Sequence, residues 1–231
     1  LMQSLDATLR QSMPRLRVTY VLVALNFLVF IAMLQSGAGL WHSPNGVQLA
    51  WGANFGPATQ DGQWWRLGSA MFLHFGLLHL ALNMWALWDG GQWVERMYGP
   101  LRFALIYFAA GLMGNLLSLV VHAGQGVSGG ASGAIFGIYG ALLSYLLCER
   151  SRIQHGEFRW LFWGALGFSG ATIVFGLLVF AAAVGWSRIV LGAHFPMDVI
   201  AGLALGGACA SAAGAWAQRV ARGVPMAGPR W

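Results

Sequence analysis

Six long runs of apolar positions, each broken by only a few polar residues, divide the chain at about 18–35, 71–89, 103–122, 132–148, 160–184 and 194–216. A helix needs roughly 20 mostly apolar residues to cross the hydrocarbon layer, and each run is close to that length. None alternates apolar and polar positions with a period of two, so the runs read as helices and not as barrel strands. The predicted fold is therefore all-α: a single polytopic domain of six transmembrane helices over residues 18–218. A basic head, 1–17, precedes it and a tail, 219–231, follows. The longest stretch between runs, residues 36–70, is rich in Gly, Pro and Asn and holds Trp41, Trp51, Trp64 and Trp65. Tryptophan favours the membrane–water interface, so this loop is expected to lie partly in the outer leaflet.

Composition supports that reading. Hydrophobic residues make up 58% of the chain and charged residues 9%, against about 25% charged in a soluble domain. The net charge of +6 comes without lysine; all 13 basic residues are arginine. With the N-terminus in the cytoplasm, Arg10, Arg15, Arg17, Arg96, Arg102, Arg150, Arg152, Arg159, Arg219, Arg222 and Arg230 fall inside, and only Arg66 and Arg188 outside. That asymmetry sets the orientation, and six spans return the C-terminus to the cytoplasm, as in a bacterial inner-membrane protein. The charge is then topology information and attraction to anionic lipid, not a nucleic-acid surface. Cys148 and Cys209 both fall toward cytoplasmic ends, so no disulfide framework is implied. The first run, after its arginines and before Ser36-Gly37-Ala38, has the outline of a cleaved signal. It exceeds the usual apolar core of about 7–15 residues, so a retained helix is expected.

The chemistry lies in polar residues at matched depth. Gly130-Ala131-Ser132-Gly133 places one serine where the fourth span begins. In this topology the second, fourth and sixth spans all run inward. Ser132, His194, His79 and Asn83 therefore share the outer half of the membrane. A hydroxyl beside a histidine is the minimum apparatus for attack on a carbonyl. His79 and Asn83, at i and i+4, lie on one helix face. Both can donate hydrogen bonds, and a donor aimed at a developing oxyanion contributes about 2.7–4 kcal/mol in acyl transfer. The alternative use of such a pair is polar glue between helices. Gly130, Gly133, Gly137 and Gly140 form a small-residue stripe, and Ala201, Gly202, Gly206 and Gly207 supply a second on the sixth span. Together they are expected to let the fourth and sixth helices approach closely. Asp198, one turn after His194, is a candidate to orient it. No metal or cofactor is called for.

From Trp65-Arg66 to Arg150 the chain resembles the rhomboid family of intramembrane serine proteases. The resemblance rests on Trp65-Arg66 in the first outer loop, His74, His79 and Asn83, Glu95-Arg96, and Gly130-Ala131-Ser132-Gly133. It implies that Ser132 is the nucleophile and His194 its base. The Ser132 backbone N–H, His79 and Asn83 would then line an oxyanion hole, and Gly130 would give clearance for the substrate backbone. It also implies single-span transmembrane proteins as substrates. Two positions depart from the family pattern. Phe136 stands where a tyrosine is common. Phe195-Pro196-Met197-Asp198-Val199 separates His194 from the small residues that usually follow it, and five residues turn a helix by about 140°. That same stretch is similar to the third motif of the type 2 phosphatidic acid phosphatases, with Ser187-Arg188, His194 and Asp198. The lysine-containing first motif is missing, and Phe168-Ser169-Gly170-Ala171 lacks the histidine of the second. The expected function is thus intramembrane proteolysis by a Ser132–His194 dyad. The alternatives are a catalytically inactive, client-binding relative and a lipid phosphatase.

Overall fold

The computed structural model describes residues 4–121 and 126–185, together with Ala208 and Ser211. It is mostly helical. Four long helices follow the predicted runs: α2 (Val18–Gln35), α6 (Leu77–Tyr98), α7 (Pro100–Val121) and α8 (Ser132–Cys148). A fifth, α9, covers His155–Gly185. A short α1 (Leu5–Ser12) precedes them, capped by Ser4, whose hydroxyl accepts from the Ala7 N–H at 3.2 Å. Among the described residues α2 and α7 are each long and apolar enough to cross a membrane. The bent pair Arg66–Phe72 and Leu77–Tyr98 makes a third candidate. The predicted sixth run lies outside the described residues except for Ala208 and Ser211, both helical.

Helix α8 is the centre of the bundle. It is apolar on every side, and a helix of that kind must be surrounded. Its residues from Ala134 to Leu142 are all buried, enclosed by α6, α7 and α9. Between α7 and α8 the backbones come close: the Gly133 face lies against Gly111 and Gly114 of α7. Gly133 of the glycine stripe thus packs on α7, while the small residues Ala201, Gly202, Gly206 and Gly207, expected to face that stripe, lie outside the described residues. The sixth segment meets α8 further along, where the Ser144 and Ser211 hydroxyls lie 3.1 Å apart.

The second span also differs from its predicted bounds of 71–89. The chain reaches it through α5 (Arg66–Ser69) and a 3-10 turn, Ala70–Phe72, then bends by 93° before α6 begins at Leu77. Leu73 and Gly76 are extended at the bend, and a side chain at Gly76 would strike the Trp41 carbonyl. At its other end α6 continues through Asp89-Gly90-Gly91-Gln92, where hydropathy alone ends the run. The two glycines are contact points. A Cβ at Gly90 would meet the Tyr139 ring at 3.0 Å, and one at Gly91 would meet Thr19 of α2 at 3.0 Å.

Helix α2 is capped by a residue far away in sequence. Its N-terminal residues carry no side-chain cap of their own, and the first N–H groups of a helix have no partner inside it. Glu95, fully buried on α6, supplies the acceptor. Its Oε1 accepts from the Arg17 and Val18 N–H groups at 2.8 and 2.9 Å. Its Oε2 accepts from the Thr19 N–H and hydroxyl at 2.8 and 2.7 Å. A carboxylate there also faces the positive end of the helix dipole. Likewise Glu157 on α9 caps α1, accepting from the Leu5 N–H at 2.8 Å.

Residues 36–76 form a folded loop and not an open one. It contains α3 (Asn45–Ala50), β1 (Asn54–Phe55) and α4 (Gly56–Gln60) ahead of α5. The Arg66 guanidinium ties it together, donating to the Leu49 and Ala53 carbonyls at 2.8 and 3.1 Å and to Gln63 Oε1 at 2.7 Å. Trp41, Trp64 and Trp65 are exposed. The loop reaches across the molecule to β2 (Val127–Ser128), with which β1 pairs antiparallel, Asn54 opposite Ser128 and Phe55 opposite Val127. This two-stranded sheet is the one element of the described residues that the all-α reading did not include.

Candidate functional site

The short sheet delivers the chain to Ser132. Beyond β2 the Gly130 N–H donates to the Ala70 carbonyl at 2.7 Å, with φ at +129°. That backbone conformation favours glycine over any residue with a Cβ. A polar web fixes the strand beneath it. Asn54 Nδ2 donates to the Asn115 carbonyl at 2.9 Å, the Ser118 and Ser128 hydroxyls meet at 3.3 Å, and Asn115 Nδ2 donates to the Leu67 carbonyl at 2.7 Å. Sequence reasoning missed this web; its members are scattered over three segments and carry no shared spacing. Gly130 therefore has a backbone reason to be glycine, apart from any clearance it offers a substrate.

Ser132 is half-buried and is the first residue of α8. A helix does not use the N–H of its first residue internally, and the dipole favours negative charge there. Both properties suit a serine whose own N–H is to stabilise an oxyanion. Phe136, one turn on, is buried.

His79 and Asn83 lie in the first two turns of α6. His79 Nδ1 accepts from the Phe75 N–H at 3.4 Å. A ring nitrogen that accepts leaves the proton of a neutral imidazole on Nε2, as a donor. His74, fully buried, lies with its ring 5.0 Å from that of His79 and its Nδ1 3.3 Å from the Phe72 carbonyl. Asn83 is buried, and one of its amide protons goes to the His79 carbonyl at 2.8 Å. That bond lies within α6, so Asn83 is not glue between helices through this proton.

The depth of Asn83 relative to Ser132 follows from the contact between α6 and α8. The two helices run in the same direction and touch at Gly90 and Tyr139. Asn83 precedes Gly90 by seven residues, and Ser132 precedes Tyr139 by seven. Seven residues are about two turns, about 10 Å of rise, and return each helix nearly to the same azimuth. Asn83 and Ser132 thus stand level on the facing sides of adjacent helices, with His79 one turn further out. His194 and Asp198 lie outside the described residues, as do Ser187, Arg188 and the small residues Ala201, Gly202, Gly206 and Gly207. Among the described residues no three His, Cys, Asp or Glu side chains gather as a metal ion would require.

Comparison with known proteins bears on the same residues. The Rhomboid domain model matches residues 61–219. The rhomboid protease GluP of Bacillus subtilis is 45% identical over 132 residues, which is 57% of this chain and 25% of that protein. RHOMBOID-like protein 9, chloroplastic, of Arabidopsis thaliana is 35% identical over 145 residues, 62% of this chain and 32% of that protein. Inactive RHOMBOID-like protein 8 of the same plant is 41% identical over 99 residues, 42% of this chain and 26% of that protein. The chain thus spans between a quarter and a third of the length of these relatives.

Proposed function

The chain belongs to the rhomboid family, and from that premise we propose that it is an intramembrane serine protease acting on single-span transmembrane proteins. Ser132 Oγ attacks the carbonyl carbon of the scissile peptide bond while His194 takes its proton. The oxyanion so formed accepts hydrogen bonds from the Ser132 N–H, His79 and Asn83. Collapse of the tetrahedral intermediate expels the amine, which takes the proton back from His194. Water, activated by the same histidine, then hydrolyses the acyl-serine and restores Ser132. Gly130 leaves room for the substrate strand. Six spans, a bacterial inner membrane and cytoplasmic termini complete the proposal.

The observation that carries this reading is the level pairing of Asn83 with Ser132 at the head of α8. An amide donor and a helix-first N–H at one level are what two hydrogen bonds to a single oxyanion require. A second reading, a client-binding protein that does not cut, draws on the similarity to an inactive relative and on the Phe195–Val199 segment after His194. The test is cleavage of a labelled transmembrane substrate in liposomes. The parent chain should cut it, Ser132→Ala should not, and a serine-directed phosphonate should label Ser132 alone. Wild-type cleavage by Ser132→Ala would sink the protease reading. A folded parent that neither cuts nor labels would put the client-binding reading first. Phosphate release from a lipid phosphate would favour the phosphatase.

A further inference from the structure

Asp89 is an exposed carboxylate in the body of a membrane helix. It stands twelve residues after Leu77 and nine before Tyr98, about 18 Å and about 14 Å from the two ends of α6. With a hydrocarbon layer about 30 Å thick, a spanning α6 keeps Asp89 within it or at its inner margin. A carboxylate at such a depth is costly and is expected to pair with something. Among the described residues one of its two oxygens has a partner. The Tyr139 hydroxyl donates to Oδ2 at 3.0 Å, and among the described residues no hydrogen bond reaches Oδ1.

The surroundings define a face. Leu78, Leu82, Trp85 and Asp89 follow one another at spacings of four, three and four, which is one stripe of a helix. Leu78, Leu82 and Trp85 are 66%, 52% and 59% exposed. Phe168 of α9 borders the stripe, stacked on Tyr139 at 4.6 Å and edge-on to Trp85 at 5.7 Å. The stripe is thus apolar along its outer part and acidic at its inner end. Its outer end passes Leu82, next to Asn83, and so runs past the level of Ser132.

We propose that this stripe seats a transmembrane helix bearing a lysine or arginine in its inner half, with Asp89 Oδ1 accepting from that residue. Charge complementarity selects the occupant. A lone carboxylate in a low-dielectric layer favours a cation, and membrane helices carry Lys and Arg toward the cytoplasmic end, with stems that reach along the helix. The inference rests on the protease reading for the identity of that helix as substrate, and it adds a selection rule. Asp89 lies six residues beyond Asn83 on α6, about 9 Å deeper than Ser132. A bound helix should therefore place its basic residue about 9 Å inward of the bond at Ser132, which is about six residues of helix and fewer where the substrate is extended next to the bond.

The test measures binding apart from cleavage. The Ser132→Ala chain is placed in liposomes with a labelled leucine-rich single-span helix carrying one guest residue, scanned along its inner half, and association is read by energy transfer. A lysine guest at the matching depth should bind about 3- to 30-fold more tightly than leucine, the span of hydrogen-bond effects measured between membrane helices. Moving it by one turn should remove the gain, and Asp89→Asn should reduce it below about twofold. Equal binding of lysine and leucine guests at every depth overturns the proposal. So does a preference that survives Asp89→Asn, or an asparagine guest that binds as well as lysine. The position scan needs no change at Asp89, so it decides even if the Asn variant folds poorly. Because association is read without cutting, a negative result here leaves the cleavage experiment to judge the protease reading alone.

Discussion

Replacing Glu95 by glutamine should loosen the α2–α6 pair, because it removes half of the acceptor that caps α2. The carboxylate accepts four hydrogen bonds at 2.7–2.9 Å from Arg17, Val18 and Thr19, and it is fully buried. A glutamine keeps one acceptor oxygen and turns an NH2 toward two of those donors. Each buried donor left without an acceptor costs about 1–3 kcal/mol, and the loss of charge at the α2 N-terminus adds about 0.3–1 kcal/mol. The expected destabilisation is about 2–7 kcal/mol. Thr19→Val removes one donor and should cost about 1.5–3 kcal/mol, as for a hydrogen bond to a charged group. In the double variant part of that cost should vanish, because Thr19 and Glu95 share the bond and do not act independently. Reversible unfolding in mixed micelles, driven by a denaturing detergent and followed by far-UV circular dichroism, measures all three. If Glu95→Gln lies within about 0.5 kcal/mol of the parent, water at the helix end replaces the carboxylate as acceptor, and the trans-cap contributes little.

Four further outcomes follow from the geometry. Asn83→Ala should lower turnover by about 10²–10³ with little change in substrate binding; a drop in stability at unchanged turnover would return Asn83 to a packing role. Gly130→Ala forces a side chain into a backbone conformation at φ +129° and should cost about 1–3 kcal/mol while disturbing the approach to Ser132; parent-like stability and rate would refute the argument. In a background lacking Cys148 and Cys209, cysteines at positions 144 and 211 should form a disulfide on mild oxidation, since the native hydroxyls are 3.1 Å apart; absence of a cross-link under conditions that oxidise other pairs would dissociate the two helices. A reporter fused after Trp231 should read as cytoplasmic, and a periplasmic signal would reverse the proposed orientation of every span.

Several features of this chain were legible without any structure, for a simple reason. Partition of a segment into lipid depends on its own residues, so the apolar runs identify α2 at Val18–Gln35 and α8 at Ser132–Cys148 with the same bounds in sequence and in structure. The helix start at Ser132 and the shared face of His79 and Asn83 are likewise local, set by neighbouring residues and by the helical repeat. What sequence could not decide depends on atoms far apart along the chain. Hydropathy closes the second run at Asp89, but α6 continues because Gly90 and Gly91 let α8 and α2 approach it. Glu95 is marked in sequence only as part of the Glu95-Arg96 pair; its capping role appears only when four donors, 76 to 78 residues away, converge on it. The glycines of α8 announce close packing but not the partner, which for Gly133 is α7. Pairing of β1 with β2 joins residues too few and too distant to leave a pattern. Local solvation determines which segments enter the membrane, and the burial of polar groups against distant partners determines how those segments are arranged.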